Sequence, residues 1–129
     1  MTPHIEALLR LAEQSIQGAT GLLDQRLFRF SVARSYYTMF YCAQALHLSE
    51  GRSFSRHAAV IAGFGQHFVK TGLFDKKFHD YLRNAFRHRQ RGDYDAMREV
   101  PEETARLVLQ QSREFLGATR AFLSKEKTQ

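Results

Sequence analysis

Apolar residues recur along this chain at the spacing of helices. Ile5, Leu8, Leu9, Ala12, Ile16, Ala19 and Leu23 fall on one side of a 3.6-residue repeat. Thr2-Pro3 is a start signal, because proline fits the first helical position. The first helix is expected to end near Asp24. A second helix is expected from about Phe28 to Ser49, closed by Glu50-Gly51. It carries Val32, Ala33, Tyr36, Tyr37, Phe40, Tyr41, Ala45 and Leu48, a wider apolar surface than one seam needs. Such a helix belongs at the centre of a bundle or at a second interface, and so hints at a dimer.

The third helix is expected over Arg56 to Lys70, with Ser55 as N-cap. Its apolar face is Val60, Ile61, Phe64 and Phe68. Gly63 and Gly65 weaken a helix, so they are read as places where a neighbour comes close. The fourth helix should start near Asp75 and stop at Gly92-Asp93. Pro101-Glu102-Glu103 opens a fifth, with a seam of Val108, Gln111, Phe115, Ala118 and Phe122. The pattern predicts a single all-α domain over residues 1–124, an up-and-down bundle of about five helices, with a frayed tail over 125–129.

Composition changes this picture little; charge changes it more. The 129 residues carry a net charge of +6. From Arg52 to Arg91 there are nine Lys/Arg against Asp75 and Asp80, so the positive excess sits in one central block. Such a field attracts polyanions, phosphate backbones first among them. The single cysteine, Cys42, excludes an internal disulfide. The histidines show no zinc spacing with acids or thiols, so neither a metal nor a cofactor is expected. No stretch reaches the ~20 apolar residues of a membrane span and no signal peptide is visible, so a cytoplasmic location is expected.

Within the basic block, Arg83 to Tyr94 is the densest part. At about 100° per residue, with Arg83 at zero, Phe78, Leu82, Ala85 and Phe86 fall between roughly 200° and 300° and must face the core. Arg87 and Arg91 fall beside Arg83, toward solvent. Arg89 falls at about 240°, inside the apolar arc, and His88 near 140°, beside Tyr81 at its edge. An inward arginine needs an acid, such as Asp93, or a cleft that holds an anion.

These blocks resemble a known family. Ser35-Tyr36-Tyr37-Thr38-Met39-Phe40 with Ala45-Leu46 is similar to the second helix of HEPN domains. Arg56-His57, before a helix ending Phe68-Val69-Lys70-Thr71-Gly72, and Arg89-Gln90-Arg91-Gly92-Asp93-Tyr94 complete the match. More closely, the chain resembles compact prokaryotic HEPN proteins that stand alone or beside a minimal nucleotidyltransferase. The resemblance implies a two-fold homodimer in which both copies of the fourth helix meet in a cleft. In active members that cleft cuts RNA without a metal, as in toxin–antitoxin and defence systems.

The resemblance also implies site residues, in two registers. In one, Arg83-Asn84-Ala85-Phe86-Arg87-His88 is the catalytic signature, with Arg83 on the phosphate, Asn84 orienting and His88 as acid or base. In the other, Arg89 is the functional arginine and Tyr94 stands where other families have the histidine. Arg87, Arg91 and His57 complete the expected substrate-binding set. For His57 the alternative is a helix-start histidine bonded inside the bundle. A nucleotidyltransferase antitoxin would act on Tyr94. The competing function is a non-catalytic module that binds RNA, a nucleotide or that partner through the same basic cleft.

Overall fold

A computed structural model describes residues 1–127, apart from the side chains of 92–94 and 126–127. The chain forms α1 (Pro3–Asp24), α2 (Phe28–Ser49), α3 (His57–Phe64) with a π-helical turn at Gly65–Val69, α4 (Lys76–Tyr94) and α5 (Glu102–Lys127). The all-α bundle expected from the pattern is therefore present. Among the described residues, no helix is long and apolar enough to cross a membrane.

Capping explains two of the starts. The Thr2 hydroxyl accepts from the Ile5 amide at 3.2 Å, ahead of Pro3 in the first turn. The Asp75 carboxylate accepts from the Lys77 amide at 2.9 Å and starts α4. Ser55 does not cap α3. Arg56 holds the N-cap position and makes no side-chain bond there. The start of α3 is fixed instead by His57, whose ring is anchored to α2.

Helix α2 is the hub, packing against α1, α3, α4 and α5. Its contact with α1 is close because small residues line it. Ala12, Ser15 and Ala19 of α1 face Ser31, Ser35 and Thr38 of α2, all buried. Two hydroxyls cross the seam: Ser31 Oγ donates to the Ala19 carbonyl at 2.8 Å, and Thr38 Oγ1 to the Ala12 carbonyl at 3.0 Å. Buried hydroxyls are costly only when unpaired, so these act as lateral fasteners.

The fifth helix follows the expected seam in part: Val108 and Phe115 are buried, Ala118 and Phe122 pack half-buried against the core, with Phe122 beside Phe68 and Phe74, and Gln111 is only half-buried, while Ala105, Ser112 and Thr119 join the core. Ser112 and Thr119 pass as core residues because each hydroxyl bonds back to its own helix, at Leu109 and Phe115. The third helix is also corrected: instead of running on to Lys70, it gives way at Gly65 to a π turn. The fourth is longer than expected, running through Gly92-Asp93 to Tyr94.

Both glycines of the third helix are close approaches, as expected. A Cβ on Gly63 would lie 2.9 Å from the His47 ring and 3.1 Å from Phe54. A Cβ on Gly65 would lie 2.5 Å from the His79 imidazole of α4. By contrast, a Cβ on exposed Gly117 of α5 meets nothing within 4 Å.

Opposite signs are therefore expected for the same substitution. Gly65→Ala should destabilise by about 1–3 kcal/mol through the clash with His79. Gly117→Ala should stabilise by roughly 0.5–1 kcal/mol through helix propensity. Urea midpoints check both, and Gly65→Ala at or above wild type would contradict the packing. Stability should also depend on pH. Burial first, then neighbouring charges, hold His47, His57, His79 and His88 below the ordinary histidine value. The unfolded chain thus binds protons that the fold excludes. Stability is complete above the unfolded pKa of about 6.5 and falls as pH drops below it. A melting midpoint that rose between about pH 7.5 and pH 5 would oppose this sign.

Candidate functional site

The site is built where α2, α3 and α4 meet in a cluster of rings. Tyr36 and Phe40 of α2 and Phe86 of α4 surround His57 from the start of α3. The His57 ring stacks on Phe40, with centroids 4.1 Å apart and planes 14° apart. Phe86 lies 6.1 Å from His57 and 5.5 Å from Tyr36. The Tyr36 side chain is fully buried, and its hydroxyl meets His57 Nδ1 at 2.7 Å. Burial pushes the Tyr36 phenol up, so it is protonated and able to donate. Burial, then the charge of Arg89, lowers His57, which is therefore mostly neutral near pH 7.

Arg89 reaches this cluster because it lies three residues after Phe86, on the same face of α4. Its guanidinium carbon is 5.8 Å from the centre of the Tyr36 ring and 5.3 Å from that of Tyr37. Ring faces attract a cation, so the side chain is held half-buried and its charge is felt by both Tyr36 and His57. The structure thus brings Arg89 and His57 together.

The remaining residues of the two registers occupy other surroundings. Arg83, Asn84, Arg87 and Arg91 are exposed. Arg87 donates to the Asn84 side-chain oxygen at 3.3 Å, and the Arg83 charge is felt by His79 rather than by His88. His88 is half-buried; burial, then Arg91, Arg98 and Arg87, keep it neutral near pH 7. Being five positions apart, Arg83 and His88 point about 140° away from each other within one chain. The side chains of Tyr94 and of Asp93, the acid considered for Arg89, lie outside the described residues.

Sequence reasoning missed the part played by α2. Tyr36 and Tyr37 read there as apolar surface, yet they carry the hydroxyl that anchors His57 and the rings that seat Arg89. Arg34 was also missed; its guanidinium carbon lies 4.6 Å from the centre of the Tyr37 ring. The available signal was an arginine three residues before a tyrosine, on a helix otherwise apolar.

The segment after α4 is pinned beside this region. Arg29 Nη2 donates to the Asp95 carbonyl at 3.2 Å and to that of Arg98. A groove of about 630 Å³ lies between the start of α2 and the approach to α5, lined by Leu27, Phe28, Phe30, Val100 and Pro101 among others. Among the described side chains, none of the sequence-predicted site residues lines it. No group of three or more His, Cys, Asp or Glu among the described residues could hold a metal ion.

Comparison with known proteins shows the family of the chain. The chain is 40% identical over 125 residues to a UPF0332 protein of Gloeobacter violaceus, covering 96% of this chain and 99% of that one. It is 34% identical over 120 residues to "Putative toxin MJ0142" of Methanocaldococcus jannaschii, covering 93% and 82%. A second toxin-named protein of that archaeon is 31% identical over 105 residues, covering 81% and 78%. Residues 5–122, which include all three sequence blocks and the whole ring cluster, match the HEPN domain, and the chain belongs to the HEPN family.

Proposed function

We propose that this protein acts on RNA as a HEPN-type endoribonuclease of a toxin–antitoxin or defence system, with Arg89 as the phosphate-gripping residue. The observation that carries this reading is the seat of Arg89 over Tyr36 and Tyr37, next to a neutral His57. Metal-independent cleavage needs a base for the 2′-hydroxyl and fixed positive charge for the phosphorane. Arginine stays charged throughout and bonds phosphate through two N–H groups. His57 and His88 are both neutral near pH 7, the state a general base requires. The toxin names of two relatives support the biological setting.

In this reading two copies assemble about a two-fold axis, so that both α4 ends face one RNA strand. Arg83, Asn84, Arg87 and Arg91 then line the rim and bind backbone phosphates. A minimal nucleotidyltransferase is the proposed antitoxin, acting at Tyr94. A second reading also has support. Arg83 and His88 do not share a surface within one chain, and no histidine follows Arg89 in its own register. Both facts favour a module that binds RNA or a partner without cutting it.

Purified protein incubated with single-stranded and structured RNA in EDTA separates these readings. The nuclease reading expects cyclic-phosphate ends, reduced by about 10²-fold or more in Arg89→Ala and in whichever of His57→Ala and His88→Ala removes the base. Intact RNA that stays bound supports the second reading, and RNA neither bound nor cut contradicts both. Tyr36→Phe should cost about 1 kcal/mol in urea denaturation and weaken RNA binding, since His57 loses its anchor. Unchanged stability and affinity would show that the hydroxyl does not position that ring.

A further inference from the structure

Arg34 occupies an unusual position for a half-buried cation. The carbons of its stem lie against Gly18 of α1, where an added Cβ would sit 3.8 Å from Cγ and Cδ. Its guanidinium is laid over Tyr37 at 4.6 Å, and the Arg89 guanidinium lies 5.3 Å from the same ring. No carboxylate among the described residues pairs with Arg34. Two permanent positive charges therefore share one tyrosine, one brought by α2 and one by α4.

The outward strip of α2 fits this arrangement. Almost every other face of the helix is buried, and the strip left accessible carries Arg34, Tyr37 and Tyr41 at helical spacing. The Tyr37 and Tyr41 rings are 5.8 Å apart. Aromatic rings interleaved with guanidinium groups are the surface that single-stranded nucleic acid uses, phosphates on the cations and bases near the rings. A membrane or an acidic protein would not call for rings placed between the charges.

We propose that Arg34 is a second phosphate-binding residue, which together with Arg89 holds an RNA strand by successive phosphates along α2. This rests on the RNA reading above and extends it from a cleft on α4 to a track crossing onto α2. The Tyr37 ring lies against both guanidinium groups, so the two contacts are continuous along one surface. Arg34 is also pre-organised: the Gly18 surface and the Tyr37 ring hold it in place before any ligand arrives, so little side-chain entropy remains to be lost on binding.

The test is the salt dependence of affinity for a single-stranded RNA oligonucleotide, measured by fluorescence anisotropy. Each phosphate contact on a single strand contributes about 0.7 to the slope of log K against log salt. Arg34→Gln should lower that slope by about 0.7, with oligomeric mass unchanged. Arg34→Lys should keep the slope and lose part of the affinity, since it retains charge without a planar group. Arg106→Gln makes the same charge change at a cation already paired with Glu102, and should leave the slope alone. An unchanged slope in Arg34→Gln, with wild-type RNA binding intact, overturns the assignment and leaves the RNA reading standing. A change of oligomeric mass in Arg34→Gln overturns it in favour of a contact between copies. Wild-type protein that binds no RNA at any salt overturns both the assignment and the reading beneath it.

Discussion

Helix α2 has to be buried on nearly all sides, and the rest of the molecule is arranged to do it. Its apolar and small residues cannot face water, so α1 lies along one flank, α5 along another, and α3 and α4 close the remainder. The α1 seam is tight because alanine and serine line it, and two crossing hydroxyl bonds hold its register. Once those flanks are covered, only a narrow strip of α2 remains open. The candidate site lies beside that strip, where the start of α3 and the later turns of α4 meet α2.

Local chemistry follows from that packing. Burying the Tyr36 phenol requires a partner, and His57 supplies it at 2.7 Å. This bond ties the start of α3 to α2 and sets the tilt of the imidazole between Phe40 and Phe86. The same ring cluster makes a negative face on which Arg89 settles, close enough for its charge to lower the His57 pKa. A positively charged group thus sits beside a base kept neutral. That pairing arises from the packing of an aromatic core rather than from a separate loop, and it is what the proposed phosphodiester chemistry would use.

Much of the fold could be read from the chain because its signals are local. The bounds of α1 and α2 follow from apolar period and end residues, and the two close-approach glycines from their position inside a helix. Misreadings came where tertiary contact overrides local preference. Ser55 is a good cap by type, but the ring of His57 sets the start of α3. Ser112 and Thr119 look like surface residues until their hydroxyls are seen turned back onto their own helix. Gly92 looks like a stop, yet α4 continues through it. At the site, the direction of Arg89 was legible from angular position alone. Its seat was not, because Tyr36, His57 and Arg34 come from segments that only the tertiary fold brings to it.

The central claim is that a phosphate of RNA settles on Arg89 beside His57. An NMR titration of the His57 imidazole, with and without a single-stranded RNA oligonucleotide, reads this directly. In the free protein the ring should titrate below the ordinary histidine value, with burial as the main cause and Arg89 as the second. With RNA bound, phosphate charge offsets that of Arg89, and the His57 pKa should rise. A His57 pKa unmoved by saturating RNA would place the nucleic acid elsewhere and contradict the account.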